Sequence, residues 1–108
     1  MTAMKLTAKD FDAQVSRGNG EALVEFWAPW CVHCKRIAPA MDKVTQEYAD
    51  KLTIGRVNID EEPELARRFG VEVIPTLMMI RGGQADGVLV APDSKAKIDA
   101  FIAQKGIQ

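Results

Sequence analysis

Cys31 and Cys34 are the residues best suited to do chemistry, the chain's only two cysteines, set in Phe26-Trp27-Ala28-Pro29-Trp30-Cys31-Val32-His33-Cys34-Lys35. Two thiols at this spacing, directly behind an apolar strand-like run and opening a helical pattern, read first as a redox pair. A helix N-terminus presents unpaired N–H groups and partial positive charge, and both favour a thiolate over a thiol in the first turn. Cys31 is therefore the candidate nucleophile. The competing reading is a stabilising disulfide or two inert thiols, but so short a loop removes little entropy from the unfolded chain. A metal module of Cys31, His33 and Cys34 lacks a fourth ligand and shares no helical face, so a tetrahedral zinc site would need a second chain. No metal is expected.

The elements that must position this pair follow from the flanking pattern. Ala22 to Trp27 is mostly apolar and rich in strand formers, as suits a central strand covered on both faces, with Glu25 its one charged residue. Behind the pair, Ile37, Met41, Val44 and Tyr48 form one apolar stripe on a helix running to about Asp50, with Pro39 inside it and a kink expected there. Lys35 and Arg36 fall on a solvated face. Lys9 to Arg17 reads as a short helix capped by Thr7 and stopped by Gly18-Asn19-Gly20. Leu52 to Ile59 reads as a strand, and Pro63 opens a helix that ends by Gly70, burying Leu65 and Phe69. Thr76 to Ile80, a Gly82-Gly83 turn and Ala85 to Val90 form a hairpin. Ser94 caps a last helix that buries Ile98, Phe101 and Ile102. With Met4 to Leu6 as a weak first strand, the order is β-α-β-α-β-α-β-β-α. It implies an α/β fold with a central mixed β-sheet flanked by helices on both faces.

Composition bounds the partners. The 108 residues suit a single domain over 1–108, and a monomer can bury that core. Apolar residues make up 47% and charged residues 27%, the balance of a globular chain. A net charge of -1 supplies no field for nucleic acid or an anionic membrane, and no apolar run approaches the roughly 20 residues that cross a bilayer. The N-terminal residues lack the apolar core of a secretory signal, which makes cytoplasmic the expected location.

Three motifs in order carry a family resemblance: Phe26-Trp27-Ala28-Pro29-Trp30-Cys31 with Cys34-Lys35, then Val57-Asn58-Ile59-Asp60, then Gly70-Val71 with Ile74-Pro75-Thr76. Together they resemble the thioredoxin family nearly end to end. The resemblance implies a thioredoxin fold and reduction of protein disulfides without a bound cofactor. Cys31 would attack, buried Cys34 would resolve the mixed disulfide, and a flavin thioredoxin reductase would recharge the pair. Pro75 would follow a cis bond and turn the Ile74 main chain toward a substrate strand, with Trp30, Ile74, Pro75, Val90 and Ala91 binding that substrate. Glu25 stands where the family usually carries a buried aspartate beneath the resolving cysteine, which suggests a proton relay; the alternative is that it sits at the strand edge or pairs with Arg56, where the family usually has lysine. Trp27 reads as core.

The chain departs from the family between the cysteines, where Val32-His33 replaces Gly-Pro. Histidine there is similar to the protein disulfide isomerases, and protonated His33 would favour the reduced form by stabilising the Cys31 thiolate. The other reading turns His33 into solvent. Val32 stiffens the helix start, and Ala91-Pro92 replaces Gly-Ala before the last helix, which reduces close access. A more oxidising isomerase or oxidase is the rival function, followed by a non-catalytic docking subunit.

Overall fold

The computed structural model describes residues 3–107 and contains five strands and four helices, β1 (Met4–Lys5), α1 (Phe11–Val15), β2 (Glu21–Trp27), α2 (Val32–Tyr48), β3 (Thr53–Asn58), α3 (Pro63–Arg68), β4 (Thr76–Arg81), β5 (Gln84–Val90) and α4 (Lys95–Gln104). They form one mixed sheet in the order β1-β3-β2-β4-β5. β1 and β2 both run parallel to β3, whereas β4 is antiparallel to β2 and to β5. β2 is thus paired on both edges, which is why its run from Ala22 to Phe26 is buried throughout.

The pleat of β2 sorts its side chains between two cores. Leu23 packs with Ile37, Met41 and Val44 of α2 and with Ile98, Phe101 and Ile102 of α4. Val24 and Phe26 point the other way, onto Phe11 and Val15 of α1 and Leu65 of α3. Helices therefore cover both faces, as the alternation predicts. Glu25 shares the α2 face with Leu23, because it is two residues along the same strand.

Most predicted elements hold within a residue or two. α1 is shorter than predicted: Thr7 does not cap it, and instead donates its N–H (2.7 Å) and hydroxyl (3.0 Å) to the Asp10 carboxylate. Aspartate is the better acceptor, so the polar turn closes before the helix begins. Gly82 (φ 58°) and Gly83 (φ 79°) make the hairpin turn with both central residues left-handed, the geometry that matches strand twist. Ser94 caps α4 as expected, its hydroxyl accepting the Lys97 N–H at 3.2 Å. Pro39 lies inside α2.

Gly55 shows how tightly β3 is held beside the site. A Cβ there would lie 2.7 Å from Leu6 Cγ, in a side chain that is only 1% exposed. Gly55→Ala should therefore destabilise the fold by about 1–3 kcal/mol through overpacking, seen as a lower urea midpoint with an unchanged slope.

Candidate active site

Cys31 is the N-cap of α2, with extended backbone (φ -83°, ψ 107°), and its sulfur accepts the Cys34 N–H at 3.1 Å. Sulfur here takes the part that a serine or aspartate oxygen usually plays at a helix start. The two cysteines are joined as a disulfide, with Cα atoms 5.2 Å apart. Cys34 is 2% exposed and packs with Ala28, Trp27, Ile59 and Ile74. Cys31 is more covered than a nucleophile's place suggests, at 6% exposure, because in the oxidised pair its sulfur lies against the same apolar wall.

Ile74–Pro75 is a cis peptide. The Ile74 carbonyl oxygen lies 3.9 Å from Cys31 Sγ, and the Pro75 carbonyl accepts the Ala91 N–H at 2.7 Å. Both ladders of β4 begin at Thr76, paired with Phe26 and Val90, so Ile74 lies outside the sheet pairing and beside the reacting sulfur. Around it runs an exposed apolar rim of Trp30 (63%), Val32 (59%) and Val90 (54%). Trp30 projects from the turn because its indole N–H donates to Asp60 Oδ2 at 2.9 Å. Asp60 is held in turn by Asn58, whose side-chain oxygen accepts the Asp60 N–H at 2.9 Å. Sequence reasoning noted this segment only as a motif and missed Asp60 as the residue that fixes Trp30; the Asn-x-Asp turn was the available signal.

Glu25 is fully buried, and its Oε1 accepts the Arg56 Nε–H at 2.8 Å across the β2–β3 register. Among the described residues its Oε2 has no hydrogen-bond partner. Burial pushes the Glu25 carboxyl above its ordinary value of 4.5, against the opposing pull of Arg56 and with an added push from Asp42 on α2. Arg56 is partly exposed and stacks on the Trp27 ring at 4.1 Å. Trp27 is accordingly half-buried, where a core position was expected. Glu25 is thus paired with Arg56 inside a central strand and not at a strand edge, and its carboxyl is still raised.

His33 neither points into free solvent nor stands unattached. It is half-buried, and its Nε2 lies 3.2 Å from the Pro92 carbonyl. The loop it meets is unusual in its own right. Ala91 has φ 48°, a left-handed conformation that costs an alanine about 1–2 kcal/mol. Hydrogen bonds flank it on either side, Ala91 N–H to Pro75 and His33 to Pro92, each worth about 0.5–1.5 kcal/mol, so together they offset that cost.

Small concavities flank the site, one lined by His33, Arg36, Ile37 and Asp93 and another by Val73, Thr76 and Val90. A concavity of about 790 Å³ sits at the other end of the sheet near Arg17, Leu52 and Ile107 and includes neither cysteine. A shallow apolar rim around a reactive pair suits an extended protein segment better than a small molecule.

The thioredoxin family model matches residues 2–104. A thioredoxin of Pseudomonas aeruginosa is 37% identical over 99 residues, covering 92% of each chain. Thioredoxin 1 of a Nostoc species is 38% identical over 96 residues, covering 89% of this chain and 90% of its own. A thioredoxin of Alicyclobacillus acidocaldarius is 37% identical over 100 residues, covering 93% and 94%. With a disulfide-bonded pair capping a helix beside a cis-proline, on a mixed sheet covered by helices, these likenesses show that the chain belongs to the thioredoxin family and is a thiol–disulfide oxidoreductase.

Proposed function

We propose that Cys31 attacks and Cys34 resolves disulfides of protein substrates, and that a flavin thioredoxin reductase returns the pair to the dithiol. The observation that carries this order is the cap: Cys31 Sγ receives the Cys34 N–H at the first turn of α2, where a thiolate is favoured, while Cys34 is the more buried thiol. The substrate segment lies against Trp30, Ile74, Pro75, Val90 and Ala91 and adds to the unpaired Ile74 main chain as a short strand. Glu25 exchanges a proton with Cys34, with Arg56 holding the carboxyl in place. His33 tunes the potential from within the turn.

The same reading takes residues 1–108 as one monomeric domain in the cytoplasm. A radius of gyration of 12.4 Å supports one unit, since about 13 Å is usual for a folded chain of this length. Two helices pack on each sheet face, so the core is buried without a second chain. A dithiol that must be restored after each turnover works in a reducing pool.

Equilibration against a glutathione series tests the direction of electron flow. The expected potential lies between about -270 mV, typical of thioredoxin, and about -180 mV, typical of the isomerase. A value at or above about -180 mV would turn the reading toward oxidation or shuffling of disulfides. Reduction of insulin coupled to NADPH through a thioredoxin reductase tests the recharging partner.

A further inference from the structure

We infer that His33 is a positioning residue, a clip that fastens the active turn to the loop before α4 and sets where Val90 and Ala91 stand for a protein substrate. This rests on the reading that Cys31 and Cys34 reduce protein disulfides, and adds how one wall of that cleft is held.

The clip joins segments far apart in sequence. His33 Nε2 meets the Pro92 carbonyl at 3.2 Å, across 59 positions. A carbonyl can only accept, so the ring proton of this contact sits on Nε2 in the neutral ring and in the imidazolium alike. The bond therefore needs a donor and not a charge. Pro92 is itself buried, and its own ring offers no N–H, so the loop is held here through its carbonyl.

What is held is a residue that would otherwise relax. Ala91 keeps φ 48° between two anchors, its own N–H on the Pro75 carbonyl and the next residue's carbonyl on His33. One anchor belongs to the cis-proline loop and the other to the cysteine turn. The position of Val90, 54% exposed on the rim, thus depends on both walls of the cleft. Glycine would hold such a φ unaided. Alanine at this place makes the clip necessary, and His33 within the active turn provides it. Arg36 on α2 and Asp93 on the loop line the same concavity as the ring, and Asp93 is ion-paired to Lys97 of α4 at 2.9 Å.

The test compares the wild type with His33→Ala and His33→Gln, whose amide keeps a donor without a charge. Reduction of insulin is measured beside reduction of a small aromatic disulfide, and the ratio of the two kcat/KM values is read. Dividing by the small substrate, which has no chain to lie along the rim, removes changes in thiolate reactivity. His33→Ala should lower the ratio about fivefold, chiefly through KM for insulin, the loss expected of one hydrogen bond. His33→Gln should stay within about twofold of the wild type. If Gln falls as far as Ala, His33 acts through its charge and the clip is wrong. An unchanged ratio in His33→Ala overturns it as well. A wild type that reduces the small disulfide but not insulin sinks the protein-substrate reading and the clip together, an outcome distinct from either.

Discussion

Cys31→Ser should lose reduction of a protein disulfide by a thousandfold or more, on the order expected when a nucleophile is removed, whereas Cys34→Ser should stall as a covalent adduct. The asymmetry follows from the exchange itself. The Cys31 thiolate attacks one substrate sulfur, the substrate S–S bond breaks, and the departing sulfur leaves as a thiolate. Cys34 then attacks Cys31 Sγ, which releases the second substrate thiol and leaves the Cys31–Cys34 disulfide seen in this structure. Two electrons pass to the substrate and two protons complete its thiols. Without Cys34 the second step has no attacking sulfur, although the first proceeds. Intact-mass measurement should show Cys34→Ser carrying one substrate chain, released by dithiothreitol, and Cys31→Ser carrying none. Adduct on Cys31→Ser and none on Cys34→Ser would reverse the assigned roles.

Arg56→Met should destabilise the protein at pH 8 by about 3–5 kcal/mol and far less at pH 4, because it leaves the fully buried Glu25 carboxylate without its cation. Burial raises the Glu25 carboxyl above 4.5, so the folded chain binds this proton more tightly than the unfolded chain does. The stability this group contributes is fully present below about 4.5 and is lost as pH rises through the folded value. Arg56 limits that loss by lowering the carboxyl, so its removal matters only where Glu25 ionises. The partners are not equivalent. Arg56 is partly exposed and rests on Trp27, so losing Glu25 strands no buried charge. Glu25→Gln keeps an acceptor for Arg56 Nε–H and removes the titration. It should abolish this group's share of the loss between pH 4 and pH 8, and it should also flatten the pH profile of disulfide reduction if the carboxyl exchanges a proton with Cys34. Urea unfolding of the oxidised protein at both pH values checks the first, and an equal cost of Arg56→Met at pH 4 and pH 8 would refute the account. An unaltered profile in Glu25→Gln would remove the relay.

Local pattern determined the elements around the site. The stripe of Ile37, Met41 and Val44 has a period that only a helix buries, and the apolar run of β2 needs cover on both faces, so each could be read without knowing its neighbours. The cysteine spacing, the glycine turn and the Ser94 cap likewise act within a few residues. Where two local rules competed, as Thr7 and Asp10 did at α1, the stronger acceptor won and the boundary moved.

The rest depended on pairings between distant segments, which no local pattern encodes. Fold alone decided that Asp60 holds Trp30, that Arg56 both pairs Glu25 and covers Trp27, and that Cys31 lies covered beside the Ile74 carbonyl. It also carried His33 to a backbone carbonyl 59 residues away and placed Ala91 in a left-handed turn between two anchors. The amino-acid sequence supplied the chemical groups and the short-range order around them. Burial and reach, set only when the sheet brings β2, β3 and the loops at their ends together, decided which group faces which and so what each one does.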